Sequence, residues 1–274
     1  IKRKLCRMSM ILVVILYALL ASTFIFAKNV LSYAHPCFTI GFRMLIAGTL
    51  LLGYQRLVGR ITIDRSHWWL FFKASLFHIY FAFILEFWAL QYVSALKTTL
   101  IYSATPFIAA LLSYVLLHER LTVKKIIGVV IGIGGLVPVI MAATTGPEAR
   151  MEVLFSLSLP EIVLFGSVIS ASYAWFIVKD LMHAGYSFGL INGVAMFIGG
   201  ILSMGTAGVV EGFAHPVSNW PHFLLWVGVL ILVANIIVYN LYALLLKRYS
   251  ITFVMFSGFL CPSFGALYEW LFMS

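Results

Sequence analysis

One carboxylate lies inside an otherwise apolar stretch of the chain. Glu86 occurs in HIYFAFILEFWAL, about one turn before the end of an apolar run. A charged side chain within a membrane-spanning helix costs roughly 3 kcal/mol on insertion scales and usually faces a polar cavity. Glu86 therefore predicts a polar path. The alternatives are a carboxylate close enough to the outer interface to be solvated, and one paired with Lys97 to hold helices together.

Aromatic residues accompany this carboxylate. Tyr80, Phe83 and Phe87 form a strip beside Glu86 at helical spacing. Aromatic rings next to a carboxylate suit an ammonium or sulfonium cation, although lipid-facing packing or an interfacial belt explains any single ring. Arg43 is the deepest basic residue, and its guanidinium could hold a substrate carboxylate or phosphate by a two-pronged contact, or pair with an internal acid.

Further hydrogen-bonding groups lie within other apolar runs. Lys97 and Tyr102 stand at the start of one run, and Asn235, Tyr239 and Asn240 lie in a later one. Uncharged groups of this kind can orient a polar substrate near the membrane midplane. They can equally join helices, at about 1 kcal/mol each. We predict all five as substrate-binding residues, and the alternative role stays open.

The composition predicts an integral membrane protein. Hydrophobic residues make up 63% of the 274 residues and charged residues 10%, too few to cover a soluble globule. The net charge of +9 indicates loops that face anionic lipid, not nucleic acid. The three cysteines, Cys6, Cys37 and Cys261, have no CxxC or Cys/His metal spacing, and we expect no disulfide framework, metal or cofactor.

Nine apolar runs are long enough to cross about 30 Å of hydrocarbon, which takes about 20 residues. They lie at residues 9–28, 36–57, 68–90, 93–117, 124–142, 160–182, 187–210, 222–246 and 249–273. Unbroken runs of this length predict helices, since barrel strands would alternate and be half as long. The first run continues too far for a signal peptide, so we expect it to be retained.

The loops carry an uneven charge. With a cytoplasmic N terminus, thirteen Lys and Arg residues fall in cytoplasmic segments, and only Lys28 and Arg150 fall on the opposite side. Positive residues concentrate on the cytoplasmic side of membrane proteins. We therefore predict a multi-pass protein of the inner (cytoplasmic) membrane with its N terminus in the cytoplasm.

The sequence repeats itself. A shift of 156 aligns Pro106 with Pro262, and residues 90–118 with residues 246–274. Shifts of 152 and 151 align further matches in the same order, which indicates a duplication. Five helices per copy is an odd number, so the second copy must be inverted. The predicted units are 1–142, an extracytoplasmic loop at 143–159, and 160–274.

The second copy is one helix short of the first, and we expect ten helices with the tenth missing. A native nine-helix protein, with its C terminus outside, is the alternative. Pro106 and Pro262 occupy corresponding positions, and a proline removes a helical hydrogen bond and opens the preceding turn. Paired interruptions in two halves point to a transporter site. We predict hinges or gates there, with simple bending as the alternative.

Several segments resemble a known family. FRMLIAGTLLL, ALQYVSALKTTLIYSATPFIAALLSYVLLHERLT and GVVIGIGGLVPVI are similar to the EamA-type domain of the drug/metabolite transporter superfamily. The resemblance is strong over 10–142 and fainter over 160–274. It implies ten helices, both termini cytoplasmic, two five-helix halves around a cavity, and alternating access. It says little about substrate, since the superfamily carries amino acids, nucleotide-sugars, nucleosides, sugar phosphates and drugs.

These features favour a secondary transporter or exchanger and not an enzyme. No GxxxxGK[ST] motif is present, so the energy would come from a gradient or a counter-substrate. Glu86 and His78 are the candidates for proton coupling. Glu86 with Arg43 fits an amino acid or a zwitterion such as S-adenosylmethionine. The alternatives are a drug or nucleotide exporter, a lipid-processing enzyme and a scaffold. Such an enzyme would need clustered motifs such as HxxxD or HExxH, and the histidines form neither. The predicted partners are a small-molecule substrate and the lipid bilayer. The predicted oligomeric state is a monomer or homodimer.

Overall fold

The computed structural model describes residues 2–59, 61–117, 158–249 and 251–273, together with residues 127–128, 131 and 134. Within these residues the chain is helical apart from turns and one isolated antiparallel bridge between Ala34 and Val217. The helical fold predicted from the apolar runs is confirmed for this part of the chain. The predicted fifth helix at 124–142, and nearly all of the predicted loop at 143–159, lie outside the described residues.

Eight helices, numbered α1 to α8 along the described chain, follow the predicted apolar runs. They are α1 (Lys2–Leu31), α2 (Pro36–Leu57), α3 (Arg65–Leu90), α4 (Ala95–Leu116), α5 (Leu159–His183), α6 (Phe188–Glu211), α7 (Trp220–Leu246) and α8 (residues 251–273). Seven helices are long and apolar enough to cross a membrane, and α8 holds the shorter apolar helix Phe253–Tyr268. The chain is therefore a multi-pass membrane protein.

Side chains at helix starts satisfy backbone N–H groups that have no partner within the helix. At α5, Ser158 and Glu161 form a capping box, in which the backbone N of Ser158 donates to Glu161 Oε2 at 2.8 Å. At α2, the carboxylate of Glu211 accepts hydrogen bonds from the backbone N of Cys37 (2.7 Å) and of Phe38 (2.9 Å). Because Glu211 ends α6, this second cap joins two helices that are distant in sequence.

The loops gather at two opposite ends of the bundle, which we call face A and face B. Face A carries the loops at residues 32–35, 91–94 and 212–219, and face B carries those at residues 58–59, 61–64, 184–187 and 247–249. On face A, the backbone N of Ser218 donates to the carbonyl of Tyr33 at 2.7 Å. On face B, the hydroxyl of Tyr186 accepts a hydrogen bond from the backbone N of Asp64 at 3.1 Å.

Glycines allow α2 and α6 to pack closely. A Cβ atom placed on Gly48 would lie 2.6 Å from the backbone N of Phe197, and one placed on Gly200 would lie 2.9 Å from the backbone N of Leu45. The shift of 152 found in the sequence carries Gly48 to Gly200 and Leu45 to Phe197. One contact between the two helices therefore maps onto the other.

Irregular segments occur at matching places in the two parts of the chain. A π-helical segment at Ser75–Tyr80 in α3 starts 156 residues before the one at Ile231–Val238 in α7. α4 is interrupted at residues 103–104, before Pro106, and α8 contains the 3₁₀ turn Ser257–Phe259, before Pro262. An irregular turn therefore precedes each proline, and the hinge or gate there stays a prediction.

The helix packing encloses a central space. α3 packs against α5 and α1 packs against α7, while α4 and α8 contact each other. Suppose that α1, α2, α3 and α4 are exchanged with α5, α6, α7 and α8 in that order. The α3–α5 contact then becomes the α1–α7 contact, and the α4–α8 contact becomes itself. These helices form the wall of the cavity described next.

Candidate functional site

A cavity of about 140 Å³ lies inside the bundle, and every described helix except α6 contributes to its wall. Its polar or ionisable lining residues are Tyr17, Thr23, Arg43, His78, Glu86, Tyr102, Thr105, Ser172, Tyr239, Tyr242 and Cys261. The rest of the wall is apolar or aromatic. An apolar cavity with a few convergent polar groups is the usual form of a small-molecule site.

The carboxylate of Glu86 is fixed by a short chain of hydroxyl groups. Glu86 is 7% exposed and accepts a hydrogen bond from the hydroxyl of Tyr102. That hydroxyl lies 3.0 Å from Ser167 Oγ, which donates to the carbonyl of Ala82 at 2.7 Å. α3, α4 and α5 each supply one of the three side chains, so the position of the carboxylate depends on how these helices are arranged.

Arg43 brings a positive charge to the same wall. It is 1% exposed, and its Cζ lies 4.6 Å from the centroid of the Phe83 ring and 5.3 Å from that of Phe87. Nε and Nη2 have no hydrogen-bond partner among the residues that the structure describes. A buried guanidinium is costly without a partner, and its donors fit the two oxygens of a carboxylate. Arg43 is therefore suited to an anionic group in the cavity.

Rings from three helices form another part of the wall, which we call the ring cluster: His78, Trp175, Tyr239 and Tyr242. Trp175 stacks on Tyr242 with ring centroids 4.0 Å apart and planes at 15°. The ring of His78 meets Trp175 edge-on at 4.8 Å and Tyr239 at 5.2 Å. All four residues line the cavity.

Comparisons with known proteins agree with a transport path. The EamA-like transporter family matches residues 7–141. A Chlamydia muridarum (strain MoPn / Nigg) protein named S-adenosylmethionine/S-adenosylhomocysteine transporter is 33% identical over 259 residues, covering 92% of this chain and 80% of that protein. The chain belongs to the EamA-like transporter family. It is thus a member of the drug/metabolite transporter superfamily, as the sequence resemblance predicted.

Other relatives extend the match over nearly the whole EamA-like chain. Two Chlamydia trachomatis proteins with the same name, from serovars L2 and D, are 32% identical over 272 residues, covering 98% of this chain and 83% of each protein. A solved crystal structure has a TM-score of 0.63 at 16% identity and covers 96% of this chain and 86% of that one. At that identity the likeness concerns the fold alone.

The cavity of this EamA-like transporter brings together six of the ten residues predicted to bind substrate. Those lining it are Arg43, Phe83, Glu86, Phe87, Tyr102 and Tyr239. Two rings of the predicted aromatic strip lie beneath the Arg43 guanidinium, so they contact a cation supplied by the protein itself. The third ring, Tyr80, is outside the lining, and its hydroxyl lies 2.8 Å from Thr206 Oγ1.

Lys97 pairs with a different acid from the one considered in the sequence. Its ammonium forms a salt bridge with Glu161, whose side chain is 1% exposed. Pairing with Glu86, the structural alternative, is therefore wrong for the described arrangement, in which Glu86 bonds to Tyr102. Lys97 is not among the lining residues. The signal for Glu161 was present as the S-x-x-E capping pattern that begins at Ser158.

The two asparagines of α7 lie away from the cavity. Asn235 is fully buried, and its Nδ2 faces the sulfur atoms of Met44 (3.4 Å) and Met196 (3.6 Å). Asn240 is exposed and donates to the carbonyl of Ile236 in its own helix at 2.6 Å. Neither they nor the prolines Pro106 and Pro262 are among the lining residues. In this arrangement the asparagine contacts are within or between helices.

Several groups that line or support the site were not predicted to bind substrate, among them Ser167, Ser172 and Trp175. Ser167 and Ser172 lie in the long apolar run of α5, where two hydroxyls at this depth are a weak signal for a polar path. Trp175 carries no such signal, since aromatic residues are common throughout this chain. Only the packing of α5 against α3 and α7 shows which faces of these helices meet at the cavity.

Proposed function

We propose that this EamA-like transporter carries S-adenosylmethionine through the central cavity by alternating access, in exchange for S-adenosylhomocysteine. The names of the Chlamydia relatives support this substrate. The observation that carries the proposal is the pair of buried opposite charges, Arg43 and Glu86, on one cavity wall. S-adenosylmethionine has a carboxylate, an ammonium and a sulfonium group, and so presents charges of both signs.

Each charge has a role in this proposal. The unpartnered Nε and Nη2 of Arg43 bind the substrate carboxylate as a two-pronged contact. Glu86, oriented by Tyr102, attracts the ammonium and sulfonium groups. S-adenosylhomocysteine lacks the sulfonium charge but keeps the carboxylate and ammonium groups. Both compounds can therefore use the same contacts, which an exchanger requires.

The proposed mechanism rests on two inverted halves, residues 1–142 and 160–274. The α2–α6 contacts support it, because exchanging the halves carries the Gly48–Phe197 contact onto Gly200–Leu45. A pair of contacts that exchange with each other in this way is typical of an interface with two-fold symmetry. For neighbouring antiparallel helices that cross the membrane, the axis lies in the membrane plane. The matching π-helical segments and interruptions give further support.

Face B is the cytoplasmic face in this proposal. It carries the basic residues Arg56, Lys247 and Arg248 at the ends of α2 and α7, as expected from the distribution of positive charge in membrane proteins. The N terminus then lies in the cytoplasm. In this proposal the irregular turns before Pro106 and Pro262 serve as hinges that let face A and face B open in turn.

Counterflow into proteoliposomes tests the proposal. Labelled S-adenosylmethionine is added outside vesicles preloaded with S-adenosylhomocysteine, with S-adenosylmethionine, or with buffer. We expect saturable uptake that depends on the preload and persists without a pH gradient. Arg43→Gln removes the carboxylate contact and should lower uptake at least tenfold, since a charged hydrogen bond contributes about 1.5–3 kcal/mol. Arg56→Gln, an exposed arginine in the same helix, is the matched control.

The outcomes separate the parts of the proposal. Uptake that requires no preload would refute exchange, and uptake that requires an inward proton gradient would support coupling to protons. Glu86→Gln should weaken uptake of both substrates. If Arg43→Gln and Glu86→Gln both transport normally, the charged wall is not the substrate site. If wild-type vesicles take up neither compound but do take up another metabolite, the proposed substrate is wrong.

A further inference from the structure

The ring cluster has features of a site for a flat molecule. Trp175 and Tyr239 are both partly exposed and both line the cavity, with ring centroids 6.2 Å apart and planes at 32°. Tyr242 stacks on Trp175 and holds the plane of the indole. The ring of His78 is nearly perpendicular to both, at 75° to the ring of Trp175 and at 86° to that of Tyr239. An aromatic guest can stack on rings fixed in this way, and stacking tolerates any base because every base has a π-face.

Polar atoms accompany these rings. His78 is 3% exposed and Ser172 is 1% exposed, and both line the cavity. In the part of the chain that the structure describes, His78 Nε2 and Ser172 Oγ make no hydrogen bond of ordinary geometry, and Asn192 is the polar neighbour of the His78 ring. Ser172 lies one turn before Trp175 and on the same face of α5. Buried polar atoms are generally hydrogen-bonded, so two such atoms beside a stack fit the polar edge of a guest.

The ring cluster and the charged wall lie at different depths. On α3, His78 and Glu86 are eight residues apart, and on α5, Trp175 and Ser167 are also eight residues apart. Eight residues correspond to about 12 Å along a helix. The helices are antiparallel, with Glu86 linked to Ser167 through Tyr102 and His78 in contact with Trp175. Both helices therefore give the same separation between Glu86 and Ser167 at the charged end and His78 and Trp175 at the aromatic end. Tyr239 lies close enough to Arg43 and Glu86 to interact electrostatically with both.

We infer that His78, Ser172, Trp175 and Tyr239 form a subsite for the purine base of an adenosyl compound, while Arg43 and Glu86 hold its amino-acid end. The inference rests on the proposed function and names the part of the substrate that each end of the cavity recognises. The purine stacks on Trp175 and Tyr239, and its polar edge pairs with His78 Nε2 and Ser172 Oγ. An amino acid without a base fills only the charged end.

Two probe compounds each carry one part of the substrate, and so each tests one end of the cavity. 5′-Methylthioadenosine carries the base without the amino-acid part, and S-methylmethionine carries the sulfonium amino acid without the base. Each is tested as a competitor of labelled S-adenosylmethionine uptake, and 5′-methylthioadenosine binding to the purified protein is measured directly by calorimetry in detergent. The variants are Trp175→Leu, Trp175→Phe and His78→Leu. Trp69→Leu, at an exposed tryptophan outside the cavity, is the control.

We expect Trp175→Leu to raise the half-inhibitory concentration of 5′-methylthioadenosine about tenfold or more, from the loss of base–aromatic stacking. Inhibition by S-methylmethionine should change less than twofold. Trp175→Phe should recover part of the loss, His78→Leu should show the same selectivity as Trp175→Leu, and Trp69→Leu should match wild type. This pattern is specific to a base subsite, because a merely structural defect weakens both probes equally.

Other results overturn the inference. Equal loss of both probes in Trp175→Leu would make the ring cluster a packing element or gate. Wild-type uptake of S-adenosylmethionine without any binding of 5′-methylthioadenosine would refute the base subsite and leave the proposed function intact. Binding of 5′-methylthioadenosine that is lost in Trp175→Leu, with no transport of either adenosyl compound, would refute the proposed function and retain the subsite.

Discussion

The close approach of α2 and α6 leads to a quantitative prediction for Gly48→Ala. The new Cβ atom would lie 2.6 Å from the backbone N of Phe197 and 3.0 Å from the carbonyl oxygen of Gly193. Ordinary contacts of a Cβ atom begin at 3.4 Å, so the helices must separate locally by about 0.8 Å. Both neighbours are backbone atoms, and no change of side-chain rotamer can relieve the overlap.

Overpacking of this kind costs about 1–3 kcal/mol. Each kcal/mol lowers Tm by about 2–4 °C in chains of 150–250 residues. We therefore expect Gly48→Ala to lower the apparent Tm by about 5 °C in detergent, measured by the loss of the monodisperse peak in size-exclusion chromatography after heating. Gly200→Ala introduces the corresponding contact, 2.9 Å from the backbone N of Leu45, and should cost less because the required shift is smaller.

Gly53→Ala in the same helix is the matched control. Nothing lies within 4 Å of a Cβ atom at Gly53, so the substitution adds helix propensity without a clash. Its Tm should equal or slightly exceed that of wild type, since alanine is favoured over glycine by up to about 1 kcal/mol in a helix. If Gly48→Ala is as stable as Gly53→Ala, the close packing of α2 on α6 does not hold in the membrane protein, and the reasoning is refuted.

Two further predictions concern charged side chains that hold helices together. Lys97→Met leaves Glu161 buried without its salt-bridge partner and should cost about 3–5 kcal/mol, seen as a large fall in Tm. The double variant Lys97→Met/Glu161→Gln should regain most of this loss, and a double variant no more stable than the single one would show that the pair is not coupled. Glu211→Ala removes both hydrogen bonds to the start of α2 and should cost about 1–2 kcal/mol. Glu211→Gln keeps one acceptor and should cost less, and equal Tm values for wild type and Glu211→Ala would contradict the cap.

The membrane-spanning helices could be predicted closely from the sequence. The predicted run at 36–57 coincides with Pro36–Leu57, because Pro36 starts the helix and Gly59, which has a positive φ of 72°, follows its C-cap Val58. The predicted run at 160–182 differs by only one residue at each end from Leu159–His183. Hydrophobic length decides these boundaries. The contacts between helices do not follow from length, and the repeat did not by itself predict the packing of α2 on α6.

The site could be predicted only in part. Arg43 and Glu86 could be predicted because a charged residue inside an apolar run is rare and usually faces the bundle interior or a polar cavity. Trp175 was not found, because an aromatic residue in an apolar run fits lipid and cavity equally well. The π-helical segment of α3 adds to the difficulty, since an extra residue in a turn changes which side chains share a face. His78 lies within that segment.

The glycine contacts between α2 and α6 map onto each other, but the charge at the cavity has no such counterpart: a shift of 152 carries Arg43 to Ala195. In a homodimer of identical subunits every residue occurs twice, so a second arginine would lie across the two-fold axis and its guanidinium would repel the first. In the proposed arrangement of two inverted halves, a single chain can place one positive charge off the two-fold axis, so that the two ends of the cavity differ in charge. In the proposed cycle, a zwitterion then keeps the same end toward face A throughout. Its base would leave first when the cavity opens to face B, and its charged end would leave first when the cavity opens to face A.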